Sequence, residues 1–352
     1  MNKEEILLQK LEETKNSLST DRLDMSFGEI MSMYERKEII IDPIFQRLFR
    51  WTEFQQTRFI ESLLLGIPIP PIFVAEDKDG RWELVDGLQR ISTVFSFFGL
   101  LDKLPEKNNW ILKHGELIPE LDNFDCKDLP LKLQLNIKRS VCRIEIVKWN
   151  SKYDMRYELF NRLNTGGARL TDQEIRNCIF RGVSSDFNAF LSSEAKQQIF
   201  IDLIGPTEKQ VEELYLDELV LRFCSLYKNA ENIKENISEH MTSFMKEIVA
   251  KPERIEEFKE MFNRTLELLK PIGKEVFRGS NNVLSTSLYD GVTIGVAQNI
   301  DKFASKDTPY LVDKINELKV DVDFRKASGS AANSKTRIQK RLQVANELFE
   351  RE

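Results

Sequence analysis

Apolar positions follow two regimes along this 352-residue chain. Up to about Phe180, short β-branched or alternating runs are interleaved with helical patterns; beyond it only helical spacing remains. Ile39-Ile40-Ile41 reads as a strand ended by Asp42-Pro43, and Val141 to Val147 alternates as a further strand. Ile72-Phe73-Val74-Ala75 and the run reaching Val85 flank a turn at Asp77-Lys78-Asp79-Gly80, so 72–85 is expected to be a hairpin. Ser26-Phe27-Gly28-Glu29, Thr52-Glu53-Phe54-Gln55 and Thr171-Asp172-Gln173-Glu174 are capping boxes that open helices. The second helix turns Phe59, Ile60, Leu63 and Leu64 inward and stops at Gly66. Asp154 to Leu163 reads as a helix before a sharp turn at Asn164-Thr165-Gly166-Gly167, and 101–138 as irregular. The rest predicts helices over 184–203, 207–228, 231–250, 252–270, 285–304 and 309–320, then a small-polar loop (Ser328 to Lys335) and a basic terminal helix. The chain is therefore expected to be α+β: an arm over 1–24, a mixed domain over 25–180 and a helical domain over 181–352.

The centre of this pattern is Arg81 to Gly99, a short strand, a tight turn at Asp86-Gly87 and an apolar helix closed by Gly99. Ile91, Val94, Phe95 and Phe98 form one buried helix face. Gln89 and Arg90 then fall in the first turn, where backbone N–H groups and the positive dipole end attract anions. The plain structural alternative is a helix start with Asp86 as N-cap and Gly87 relieving the turn.

Composition narrows the field. The chain is 41% hydrophobic and 31% charged, which indicates a globular protein with a full core. A net charge of -6 argues against a uniformly basic nucleic-acid coat, though not against a local basic groove. Cys126, Cys142, Cys178 and Cys224 are widely spaced, as reduced buried thiols of a cytoplasmic protein would be. No apolar run is long enough to cross a membrane and no signal-peptide pattern opens the chain, so no membrane partner is expected. The histidines, His114 and His240, stand apart and read as surface or hydrogen-bonded residues. That excludes a zincin, a Cys/His zinc module and a His-Asn-His nuclease centre of normal composition; a Walker A loop and a GxGxxG fingerprint are also missing.

Three segments place polar groups where a plain fold does not require them. Gln46-Arg47 with Arg50 and Trp51 combine a phosphate fork with an aromatic plane, or simply pin a surface loop to the core. In Asp86-Gly87-Leu88-Gln89-Arg90, Asp86 suits magnesium, Gln89 a water and Arg90 developing phosphate charge. In Asn161 to Thr171, Gly166 and Gly167 allow close backbone approach to an anion, or only close a helix; Glu174, Arg176 and Asn177 follow.

Taken in order, Phe45-Gln46-Arg47 with Trp51, Gly66-Ile67-Pro68-Ile69-Pro70-Pro71, Asp86 to Arg90, and Phe160 to Asn177 resemble the bacterial GmrSD-type N-terminal domain family, marked by a DGQQR motif. The resemblance covers roughly residues 25–180 and reaches weakly to Asn333-Ser334 and Arg341. It implies a core similar to ParB and sulfiredoxin, and nucleoside triphosphate hydrolysis with magnesium at Asp86, Gln89 and Arg90. Gln46, Arg47, Trp51, Gly87 and Thr93 would contact the nucleotide, together with Arg162, Asn164, Gly166, Gly167, Glu174 and Arg176. Members act in phage defence, commonly in modification-dependent restriction, where nucleotide turnover regulates DNA cleavage. Leu88 departs from the motif by replacing its first glutamine, which weakens the case for efficient hydrolysis. The histidine count implies a separate nuclease subunit, with DNA and a second copy of the chain as further candidate partners. Two rival readings are a non-catalytic DNA-binding adaptor using Lys335, Arg337, Lys340 and Arg341, and a metal-dependent DNA-nicking enzyme built on Asp86.

Overall fold

Five short strands lay out the first part of the molecule. The computed structural model describes residues 2–41, 51–102, 104–151, 156, 158–160, 162, 171–180, 184–233, 236–279 and 281–351. Residues 45–50 of the aromatic and arginine loop, half of the residues of the helix expected over 154–163 and the glycine turn expected over 164–167 lie outside the described residues, while 156, 158–160 and 162 are helical as expected. The chain divides into two compact units, 1–171 and 172–352.

In the first unit, β1 (Thr20–Ser26), β2 (Ile39–Ile40), β3 (Ile72–Glu76), β4 (Trp82–Asp86) and β5 (Val141–Val147) form one mixed sheet in the order β1-β5-β3-β4-β2. β3 and β4 are the expected antiparallel hairpin, while β5 and β2 flank that pair in parallel. Among the described residues the helices α1 (Lys3–Lys15), α2 (Phe27–Glu35), α3 (Glu53–Leu65), α4 (Leu88–Phe97) and α5 (Leu131–Arg139) accompany the sheet. Ile72 and Val74, Trp82 and Leu84, and Cys142, Ile144 and Ile146 share one core with Phe27, Ile60, Leu63, Val94 and Phe95. The period-2 alternation therefore directs one sheet face toward α2, α3 and α4.

Two elements differ from the sequence reading. Thr20 to Ser26 is an edge strand, not part of a helical arm. Its side chains are largely exposed, so it lacks an inward apolar row; seven backbone pairs with β5 and the Arg22–Glu145 and Arg143–Asp24 ion pairs hold it instead. Within the stretch expected to be irregular, Leu131 to Arg139 is helical. Its Leu-x-Leu-x-Leu-x-Ile alternation mimics a strand, yet only Ile137 is buried.

The other face of β4 is buried as well, and it carries a carboxyl. Glu83 lies there beside the buried Arg156. Burial pushes the Glu83 carboxyl up to about 8, with Arg156 opposing the shift. The folded chain then keeps this proton over a range in which the unfolded chain has already released it, so stability falls as pH rises from about 5 to 8. For this one group the slope is expected to reach about 1.4 kcal/mol per pH unit. Glu83→Gln should flatten that slope in urea titrations across this range; an unchanged slope refutes the assignment.

The second unit contains only helices among its described residues, apart from two isolated bridges. α6 (Asp172–Phe180), α7 (Ser185–Ala195), α8 (Gln198–Ile204), α9 (Glu208–Glu212), α10 (Tyr215–Leu226) and α11 (Ile237–Ala250) come first. α12 (Arg254–Leu269), α13 (Thr286–Gln298), α14 (Ile300–Ala304), α15 (Thr308–Val320), α16 (Val322–Ala327) and α17 (Lys335–Glu350) complete it. Three expected long helices are each broken in two, one of them at Leu214, whose φ of 55° no α-helix accepts. α13 is buried from Ser287 to Ala297. A Cβ at its Gly291 or Gly295 would stand 2.6 Å from the ring of Phe324 or Phe349, so these glycines admit α16 and α17 against it. The chain is α+β, a mixed sheet with helices followed by a helical part, and no described helix is long and apolar enough to cross a membrane.

Candidate functional site

The hairpin falls out of step at the end of β4. Val74 opposes Leu84 but Phe73 opposes Asp86, which leaves Val85 as an extra residue. Such a bulge bends the strand and re-aims the residues after it. Gly87 follows with φ 95°, and a Cβ there would stand 2.8 Å from Ile72 Cγ1. Both the dihedral and the contact demand glycine. Gly87→Ala is expected to destabilise the fold by about 1–3 kcal/mol, read as a lower urea midpoint at unchanged m-value.

α4 begins at Leu88 with Gly87 as its N-cap and no side chain capping its first turn. Asp86 is the last strand residue, not the cap that the structural alternative supposed. Its carboxylate accepts a hydrogen bond from Arg90 Nη2 at 2.9 Å, while Arg90 Nη1 donates to the Pro70 carbonyl at 2.6 Å. Asp86 is half-exposed and Arg90 mostly covered. The Gly-x-Pro-x-Pro-Pro segment and the Asp-Gly-x-Gln-Arg turn, 20 residues apart at Pro70 and Arg90, are thereby one object. Gln89 points inward and its Oε1 accepts from the Trp51 backbone N–H at 3.0 Å. Trp51 in turn stands edge-on to Phe59, ring centroids 5.5 Å apart. Leu88, the departure from the motif, is half-buried against the apolar core. Thr93, one turn beyond Gln89, is 1% exposed, and its Oγ1 has no hydrogen-bond partner among the described residues.

The structure thus gathers Trp51, Asp86, Gly87, Gln89, Arg90 and Thr93 around one strand-to-helix turn. Arg162 is exposed and paired with Glu158 at 2.7 Å. Glu174 and Arg176 belong to the second unit. There Arg176 is fully buried, donating to Gln173 Oε1 at 2.9 Å, Ser238 Oγ at 3.1 Å and Glu218 Oε2 at 3.2 Å. Gln46, Arg47, Asn164, Gly166 and Gly167 lie outside the described residues. The residues that sequence reasoning missed are on α3. Gln55, Arg58 and Ser62 line a cleft of about 250 Å³ with Trp51 and Phe59. Their only signal was the capping box at Thr52, which marks a helix start and says nothing of a cleft.

Among the described residues no group of three His, Cys, Asp or Glu side chains is placed to hold a metal ion. Asp86 is the single carboxylate of the turn, and its engagement with Arg90 suits a metal that arrives already bound to phosphate better than a resident one.

A second polar centre lies within the helical unit. Asp290 on α13 is fully buried and accepts from Arg222 on α10 through Nη2 at 2.8 Å and from Arg341 on α17 through its Nη2. Arg222 Nη2 also donates to Asn333 Oδ1 at 3.2 Å, and Arg341 Nη1 to the Ala332 carbonyl. Burial pushes the Asp290 carboxyl up, but the two guanidiniums outweigh it and hold it below the usual carboxylate range. Of the four basic residues that the adaptor reading places on the terminal helix, Arg341 is therefore turned into the core. His240 is hydrogen-bonded, as expected, through Nε2 to the Ser225 carbonyl at 2.8 Å.

These features define a mixed α+β domain whose conspicuous site is an arginine-clamped strand-to-helix turn. Residues 27–181 match the family described as GmrSD restriction endonuclease, N-terminal domain, and over that span the chain is similar to it. The description is that of a component of a restriction-type system. No curated protein and no solved structure matches the chain.

Proposed function

We propose that the Asp86–Arg90 turn binds the phosphates of a magnesium nucleoside triphosphate, and that the chain is the nucleotide-hydrolysing regulatory component of a phage-restriction system whose DNA cleavage is done by a separate nuclease. The observation that carries the reading is the Arg90 clamp. A guanidinium fixed by the Pro70 carbonyl and Asp86 beside an uncapped helix start is a preorganised anion site. Phosphoryl transfer asks the protein mainly for positioning and charge neutralisation, which this turn supplies without a Walker loop. Arg90 would neutralise the phosphates and Asp86 would meet the magnesium or water coordination shell, while Gln89, buried with its Oε1 on the Trp51 N–H, would position the Trp51 side of the site. Leu88 offers no polar group, so slow turnover is expected of this member.

The test is direct. Purified full-length chain with magnesium is offered each of the four labelled nucleoside triphosphates, and bound nucleotide and released phosphate are followed. Saturable binding with phosphate release supports the proposal; no binding to any of the four overturns it. The DNA-adaptor reading has less support, since Arg341 serves Asp290 and Arg337 Nη1 donates to the Lys326 carbonyl. The nicking reading also has less support, since among the described residues no group of three His, Cys, Asp or Glu side chains is placed to hold a metal ion.

A further inference from the structure

The α3 cleft offers chemistry of a different kind from the turn beside it. Gln55, Arg58 and Ser62 recur at three- and four-residue spacing on one helix face, with Phe59 as a buried floor and Trp51 as a half-buried wall. Gln55 Oε1 accepts from the Thr52 backbone N–H at 2.9 Å, which fixes which way round its amide sits. Its Nε2 then remains a donor with no acceptor among the described residues. Ser62 Oγ donates to the Arg58 carbonyl at 2.8 Å, leaving its own oxygen as an acceptor. Arg58 is engaged at the rim with Glu116, at 2.7 Å. The cleft therefore presents an aromatic wall, one oriented donor and one acceptor, with an exposed ion pair at its rim. It suits a flat ring with a polar edge. The Trp51 N–H that reaches Gln89 Oε1 ties this wall directly to the turn.

We propose that this cleft is the nucleobase subsite of the nucleotide whose phosphates sit at the Asp86–Arg90 turn; this rests on the phosphate reading above. The base stacks on Trp51, Gln55 Nε2 donates to an acceptor on its edge, and Ser62 Oγ accepts from the base or the ribose. Stacking on an aromatic side chain is sequence-tolerant, so Gln55 and Ser62 would carry whatever base preference exists.

Calorimetric titration of the full chain with each magnesium nucleoside triphosphate, and with magnesium tripolyphosphate as a base-free probe, tests the assignment. Trp51→Leu removes the wall. Gln55→Glu keeps an oxygen for the Thr52 cap but replaces the donor by an acceptor. Each variant is expected to lose at least about ten-fold in nucleotide affinity, while tripolyphosphate affinity stays within about two-fold of the unsubstituted chain. Trp51→Phe, which keeps a ring, should restore most of the loss and serves if the leucine variant fails to fold. Unchanged nucleotide affinity in both variants, or an equal loss for tripolyphosphate, overturns the subsite. A wild-type chain that binds tripolyphosphate as tightly as nucleotide overturns the subsite alone; one that binds neither overturns the phosphate reading with it.

Discussion

Asp290→Ala is expected to destabilise the helical unit by about 3–5 kcal/mol, the range for removing one partner of a buried ion network. Asp290 is the only anion that touches both Arg222 and Arg341 among the described contacts, and all three side chains are at most 2% exposed. Without it two guanidiniums stay buried with no counter-charge between them. The damage would spread along the chain, because the same arginines hold Asn333 and the Ala332 carbonyl in the loop that leads into α17. Urea unfolding of the full chain should show the transition of this unit moving to much lower denaturant. A loss below about 1 kcal/mol, the scale of an exposed pair, would mean the triad is not the closed network described. Replacing all three by apolar residues of similar volume is a separate matter, and such swaps are sometimes neutral.

Arg90→Ala is expected to weaken magnesium nucleotide binding about ten- to a hundred-fold. A charge-assisted hydrogen bond contributes about 1.5–3 kcal/mol, and each 1.4 kcal/mol is a factor of ten. Arg90 also joins Pro70 to Asp86, so the substitution releases two local ties and some loss of stability will accompany it. The two effects separate when affinity is measured by calorimetry well below the unfolding temperature of the variant and compared with its thermal melt without ligand. Arg90→Lys keeps a charge but cannot reach the carbonyl and the carboxylate as a fork, so intermediate affinity is expected. A variant that melts earlier yet binds nucleotide as tightly as the unsubstituted chain would make Arg90 a clamp only, and would end its proposed role on phosphate.

Periodicity and capping chemistry were enough to read the β3–β4 hairpin, α3 with its Thr52–Gln55 box, α4 and the change to an all-helical second half. Those features are local. A two-residue alternation, a Ser or Thr three residues ahead of Glu or Gln, or a Gly at a helix end acts through neighbouring backbone. β1 was illegible because its stability resides in β5, more than a hundred residues away, and its own side chains face solvent. α5 was misread because alternating leucines carry no label for the face they will bury.

For the site, the sequence by itself determined the residue set at Asp86 to Arg90, the need for flexibility at Gly87 and the likeness to the family matched over 27–181. Only the tertiary structure decided what those residues touch. It turned Gln89 toward the Trp51 backbone, gave Arg90 to Pro70 and Asp86, and packed Leu88 against the core. It also placed Gln55, Arg58 and Ser62 beside Trp51, and took Arg341 out of the basic helix to meet Asp290. The physical reason is common to all of these. Helix and turn signals are written in near-neighbour sterics, whereas the partner of a buried polar group is chosen by desolvation, which is settled only when distant segments close around it.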